Sequence, residues 1–274
     1  AAAFSAAHAS IERVGRVLVL EKAPREWAGG NSYFTAGAIR TTYEGLEDLR
    51  PIVENLTDEL AAATELPPYT PDDFMSDMER VTEGRCDKEL TRILVDDAAD
   101  TTRWLHEKGL RYRLMYDRQS FEVNGKKRLC GGLVLGTVGG GRGLVEQHIA
   151  AAERSGIEVR YDSPVVGLLQ EDEAVTGVVC KGPGGREEIG ARATVLASGG
   201  FEWNREMVNA FIGYDVKPLS PPNNVGDGLV MAMEAGGQIA NMNSYWGQPA
   251  MFDPGVTRNG ELVPQFEWAR GEPG

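Results

Sequence analysis

A chain of 274 residues can hold one large α/β domain and part of a second, with a sizeable core. Its net charge of −13 argues against nucleic acid or an anionic membrane as partner, and a negatively charged substrate would need a local arginine cluster to enter. Three scattered cysteines, Cys86, Cys130 and Cys180, argue against a disulfide scaffold or a zinc site and point to a reducing cytoplasm.

In chain order, residues 1–12 read as an alanine-rich helix ended by Gly15, and Val17-Leu18-Val19-Leu20 follows as a buried-type strand ending on Glu21. Helix then strand then acid is the second half of a βαβ nucleotide-binding unit, whose Gly-rich turn lies about 20 residues before the acid. That count places the turn at or before residue 1, so the chain is expected to begin just inside the helix. Residues 44–109 read as mostly helical. Thr70-Pro71-Asp72-Asp73 opens one helix, with Phe74, Met78 and Val81 on its inner face and Gly84 closing it. Asp87 caps a longer one, with Leu90, Ile93, Leu94, Ala98, Trp104 and Leu105 as its buried stripe.

A Gly-rich stretch at 131–143 leads into a helix over 144–154 stopped by Gly156. Strands follow at 157–161, 165–169 and 175–180, then a turn at Pro183-Gly184-Gly185 and a buried-type strand at 193–197 running into Ser198-Gly199-Gly200. Gly226-Asp227-Gly228 opens a helix that ends at Gly236-Gly237. Beyond it the sequence is irregular and aromatic, and it stops at Gly274 without a terminating element. No apolar run approaches the roughly 20 residues that span a bilayer.

Two features carry chemistry on their own terms. Glu21, at the carboxyl end of a parallel strand, can accept hydrogen bonds from both ribose hydroxyls of an adenosine, although a solvated acid beside Lys22 is the plain alternative. Gly29-Gly30-Asn31-Ser32 and Thr35-Ala36-Gly37-Ala38 are small enough for main chain to approach a pyrophosphate and a flat ring. Gly139 to Gly143 imitates a second dinucleotide fingerprint, with Asp162 about 20 residues on, but its glycine spacing is wrong. His8, His106 and His148 have no nucleophile or metal partner at motif spacing and read as structural.

Taken in order, these motifs resemble the fumarate reductase/succinate dehydrogenase flavoprotein family, from the strand ending Glu21-Lys22-Ala23-Pro24 through Gly-Gly-Asn-Ser and Ala-Gly-Ala. The resemblance continues through Thr102-Arg103-Trp104-Leu105, Gly139-Gly140-Gly141, Ser163-Pro164-Val165-Val166-Gly167-Leu168-Leu169, Thr194-Val195-Leu196-Ala197-Ser198-Gly199-Gly200-Phe201 and Gly226-Asp227-Gly228. It implies an α/β, Rossmann-like FAD-binding domain with a mainly parallel sheet over 1–43 and 110–237. Residues 44–109 would be a helical insertion, and 238–274 the start of an incomplete capping domain for substrate. By the same resemblance Glu21 binds the ribose, with Lys22 beside it, and Gly29, Gly30, Asn31 and Ser32 the pyrophosphate region. Thr35, Ala36, Gly37 and Ala38 line the isoalloxazine. Backbone at Val166 meets the adenine, Ala197, Ser198 and Gly199 lie by the dinucleotide, and Gly226 and Asp227 fix its far side. Members that bind FAD covalently use a histidine where this chain has Asn31, so a non-covalent FAD is implied.

Glu267-Trp268-Ala269-Arg270-Gly271 resembles the proton-relaying Glu-x-x-Arg-Gly stretch of soluble fumarate reductases, which makes Glu267 and Arg270 the catalytic candidates, with a surface ion pair as the plain alternative. Gln248-Pro249 stands where those reductases carry a substrate-binding His-Pro. Gly-Asn-Ser-Tyr-Phe-Thr-Ala-Gly-Ala-Ile-Arg, with Tyr43-Glu44-Gly45, is most similar to the tricarballylate dehydrogenase-like branch. The implied reaction is hydride exchange between flavin N5 and a di- or tricarboxylate, with an unknown electron acceptor or donor. A 3-ketosteroid dehydrogenase-like desaturase, suggested by the aromatic tail, and a non-catalytic nucleotide-binding fragment are the alternatives.

Overall fold

A computed structural model describes residues 1–213, 218 and 222–244, with the backbone of a short strand pair at 257–258 and 261–262. In chain order the elements are α1 (Ala2–Val14), β1 (Leu18–Leu20), α2 (Gly30–Tyr33), β2 (Ala38–Ile39), α3 (Leu46–Leu49), α4 (Asp58–Ala62) and β3 (Thr64–Glu65). Next come α5 (Pro71–Val81), α6 (Lys88–Asp96), α7 (Ala98–Glu107), β4 (Tyr112–Leu114), β5 (Ser120–Val123), β6 (Lys126–Leu129), β7 (Leu135–Thr137) and α8 (Gly140–Arg154). The rest are β8 (Glu158–Arg160), β9 (Val165–Glu171), β10 (Ala174–Gly182), β11 (Gly185–Gly190), α9 (Arg205–Met207), α10 (Asp227–Glu234), β12 (Thr257–Arg258) and β13 (Glu261–Leu262). The chain divides into two units, Ala1–Phe34 with Ala152–Gly274, and Thr35–Ala151. No helix among the described residues is long and apolar enough to cross a membrane.

The first unit is built on a βαβ logic. Gly15, at φ 75°, closes α1 in the left-handed conformation that a side chain resists. The chain then reverses into β1, which pairs in parallel with β8, Leu18 opposite Glu158 and Leu20 opposite Arg160. Glu21 extends that ladder by donating its N–H to the Arg160 carbonyl at 2.9 Å. An antiparallel meander, β9–β10–β11, follows, and Gly182 pairs with Gly185 across the expected Pro183-Gly184 turn.

The expected strand at 193–197 does not form. No ladder includes these residues, and Val195 and Leu196 are exposed at 66% and 41%. An apolar run becomes a buried parallel strand only beside a partner strand, and no described strand lies alongside this one.

The second unit packs its helices on an antiparallel sheet, β2–β7–β4, beside a smaller sheet in which β6 joins β3 in parallel and β5 antiparallel. Its core centres on Val95, Leu110, Tyr112, Leu114, Leu129 and Leu135, all inaccessible to solvent. Thr70 caps α5 reciprocally with Asp73, as the sequence suggests. Two expectations fail here. The helix after Asp87 breaks at Asp97 into α6 and α7, and its buried face is Thr91, Val95, Ala98 and Thr102. Leu90, Ile93 and Leu94 are more than half exposed, as is Val81 at the end of α5. Small side chains at 91, 95, 98 and 102 let the helix axis approach its neighbours closely, and that face wins over the larger apolar one. The β5–β6 hairpin, turning on Asn124 (φ 51°) and Gly125 (φ 74°), is absent from the sequence reading.

Leu135→Ala is therefore expected to cost about 2–5 kcal/mol in urea unfolding, and Leu94→Ala less than about 0.5 kcal/mol; similar losses would mean that residue 94 is covered. Tyr69 adds a pH signature. Burial first, then its hydrogen bond to Asp77, pushes its hydroxyl up to about 12 from 10.0. The native state thus holds that proton more tightly than the unfolded chain, a contribution present below pH 10 and lost as pH climbs towards 12. Alkaline destabilisation in that window is expected to weaken in Tyr69→Phe.

Candidate cofactor site

In the first unit the chain brings four loops together around the carboxyl end of β1. Glu21 lies just beyond the strand, half-buried, and its Oε1 accepts the Ala23 N–H at 2.9 Å, so the carboxylate is held at the strand end while retaining its second oxygen. Lys22 Nζ donates to Asp227 Oδ2 at 2.6 Å and to the Asn223 carbonyl at 3.4 Å, which ties the strand end to the start of α10. Both side chains are over a third exposed, so this pair contributes position more than stability.

Gly29 and Gly30 follow at φ 112° and 51°, and α2 carries Asn31 and Ser32. The backbone nitrogen of Ala1 lies 3.1 Å from Ser32 Oγ, so the first turn of α1 lies against this turn. A Cβ on Gly30 would meet nothing within 4 Å, and the main chain is open to approach there. The bare backbone at Gly30 suits a phosphate group.

The loops at 198–204 and 222–228 interlock. Trp203 donates its N–H to the Asn224 carbonyl at 3.1 Å, and Asn204 Nδ2 donates to the Val225 carbonyl at 3.1 Å. Glycine lets this seam close tightly. A Cβ on Gly199 (φ 83°) would lie 2.6 Å from Asn224 Oδ1, and one on Gly228 would lie 2.1 Å from Ser198 Oγ. Glu202 Oε1 accepts from Asn31 Nδ2 at 2.6 Å and from Asn224 Nδ2 at 2.7 Å, joining this seam to the Gly29–Gly30 turn. Ala197, Ser198 and Gly199 are exposed, Val166 stands 52% exposed on β9, and α10 packs against β9. Lys22, Asn31, Gly199, Gly226 and Asp227 thus gather on one set of loops, with exposed small and apolar surface beside them. Those features fit a dinucleotide. Glu202 and Asn224 join this site through contacts distant in sequence, and no local pattern marks Glu202.

Within the second unit, Thr35 Oγ1 accepts the Gly37 N–H at 3.0 Å, and the Thr35 carbonyl accepts the Gly141 N–H at 2.9 Å. Gly37 (φ 69°) is pressed against Thr137 Oγ1 and the Gly140 backbone, where a Cβ would lie at 2.1 and 2.7 Å. The run at 139–143 therefore serves to pack α8 against the 35–38 turn. Ala36 is half-buried and Ala38 exposed. Gln248, Glu267 and Arg270 lie outside the described residues.

Gly199→Ala and Gly15→Ala share a left-handed penalty of about 1–2 kcal/mol, but a Cβ on Gly15 meets open space. A larger loss of thermal stability is expected at 199, and equal losses would mean that Asn224 can step aside.

Known proteins resemble this chain over most of its length. Residues 1–267 match the family described as FAD binding domain. The probable fumarate reductase Ifc3 of Shewanella frigidimarina is 28% identical over 91% of this chain and 40% of its own length. Vinyl phenol reductase of Lactiplantibacillus plantarum is 28% identical over 87% of this chain and 44% of its own. Among solved structures, the open conformation of a flavocytochrome c3 fumarate reductase superposes with a TM-score of 0.64 at 27% identity, covering 85% of this chain and 38% of that one. The chain thus spans less than half the length of each. The chain belongs to the family described as FAD binding domain, and its cofactor is FAD.

Proposed function

We propose that the protein is a flavin-dependent oxidoreductase acting on a CH–CH bond, of which this chain supplies the FAD-binding part. The observation that carries the reading is the loop cluster at the end of β1, where an acid, a left-handed glycine pair and the Gly199–Asn224 seam converge. In this reading Glu21 holds the ribose hydroxyls, while Gly29, Gly30, Asn31 and Ser32 receive the pyrophosphate with Lys22 alongside. Val166 meets the adenine, and Ala197, Ser198, Gly199, Gly226 and Asp227 close the dinucleotide channel. Thr35, Ala36, Gly37 and Ala38, three residues further along the chain than Ser32, are assigned to the isoalloxazine by sequence. Asn31 is a poor nucleophile for a flavin methyl group, which supports non-covalent attachment.

When bound, FAD supplies hydride exchange with a substrate carbon. The chain's part is to position and to move a proton. Arg270 stays charged at neutral pH and Glu267 can take up or release the proton that accompanies the hydride. Gln248 is assigned to substrate contact, and 238–274 to the start of a capping domain. The other division retained is a cofactor domain of 1–43 and 110–237 with 44–109 inserted. A carbon–carbon double bond is common to fumarate and vinyl phenol, the compounds named in two relatives, and supports alkane/alkene redox. A di- or tricarboxylate such as tricarballylate or fumarate is the substrate class proposed, on the motif at 29–45. An electron carrier of unknown identity and a cytoplasmic location complete the reading.

The test is anaerobic flavin bleaching or reoxidation by the full-length protein with tricarballylate, succinate, fumarate and a 3-ketosteroid. Response to a carboxylate, lost by at least about 100-fold in Glu267→Gln with FAD retained, is the expected result. Response to the steroid alone would transfer the protein to the desaturase reading. FAD retention with no response to any would leave a binding domain.

A further inference from the structure

Glu202 is the point where three loops of the first unit meet, and no motif marks it. One oxygen, Oε1, receives the side-chain amides of both Asn31 and Asn224, at 2.6 and 2.7 Å. The other, Oε2, sits where a Cβ on Gly200 would come within 2.9 Å, so the missing side chain at 200 makes the room that the carboxylate occupies. Asn224 is 8% exposed and wedged against Gly199, and its main chain is bonded to Trp203. One end of the arrangement is therefore fixed. At the other end Asn31 is exposed, on a turn whose glycines are conformationally permissive.

We propose that Glu202 is a positioning residue for the cofactor: it holds Asn31 and Asn224 in register and so presets the Gly29–Ser32 turn for the pyrophosphate. The inference rests on the FAD reading above and adds a role that the family motifs do not assign. A carboxylate accepts only, so both asparagines must turn their amino edges towards it, which fixes the rotamer of each. Because Asn31 stands between, the negative charge is kept behind a neutral amide. An acid at position 31 itself would face an anionic ligand directly. Presetting the turn removes ordering that binding would otherwise have to supply, which raises affinity without a new contact to the ligand.

The experiment measures FAD dissociation constants for the full-length protein after removal and re-addition of cofactor, together with visible circular dichroism of the bound flavin. Glu202→Ala is expected to weaken FAD about tenfold, a change of about 1.4 kcal/mol, and to alter the flavin dichroism. Glu202→Gln keeps an acceptor oxygen for both asparagines and is expected to restore most of the affinity. Asn31→Ala in a Glu202→Ala background is expected to add less than it costs alone, because one contact has already gone. Wild-type affinity and dichroism in Glu202→Ala, or losses that simply add, would overturn the proposal. If Glu202→Ala does not fold, Glu202→Asp, one methylene shorter, replaces it in the same cycle and is read in the same way. A wild-type protein that takes up no FAD would refute the cofactor assignment itself, an outcome distinct from failure of the Glu202 cycle.

Discussion

Parallel pairing of Leu18–Leu20 with Glu158–Arg160 is the constraint on which the cofactor half of the structure depends. Parallel strands cannot be joined by a tight turn, so the intervening chain must leave and return. That places two strand ends, and the loops leaving them, on the same side. The Ser163 N–H donates to the Glu21 carbonyl there at 2.9 Å, which holds the acid against the outgoing β8 loop. The loops from 22, 29, 199 and 226 then have a common frame, and ligands of open α/β sheets bind at that edge.

The loops keep their places through a few side chains and through bare backbone. Lys22 with Asp227, and Glu202 with its two asparagines, are polar clamps that cross long sequence separations. Glycine at 199, 226 and 228 lets the loops pack closely, since a Cβ at any of them would press within 3.0 Å of a neighbouring side chain. Glycine at 30 serves another end: it leaves main chain uncovered. The same residue type thus closes the loop seam in one place and leaves backbone open to approach in another.

Much of this was legible beforehand because it is local. Gly15 ended α1 where expected, Thr70 and Asp73 built their cap, and the acid on β1 stood at the end of a parallel strand. What failed depended on neighbours distant in sequence. The apolar run at 193–197 had the composition of a core strand and no described strand to pair with. Leu90, Ile93 and Leu94 formed a proper helical stripe, but packing chose the smaller face containing Val95 and Ala98. Asn124-Gly125 was a usable hairpin signal, obscured by the charged, weakly alternating strands around it. Glu202 had no local signal, since its partners lie 171 and 22 residues away.

In the proposed reading these loops hold FAD without a covalent bond. Its most direct test is the absorbance spectrum of the purified full-length protein before and after acid precipitation. The expected result is oxidised-flavin bands that pass entirely into the supernatant as FAD. Flavin retained in the pellet would contradict non-covalent binding, and a protein that stays colourless when FAD is added would contradict the cofactor site itself.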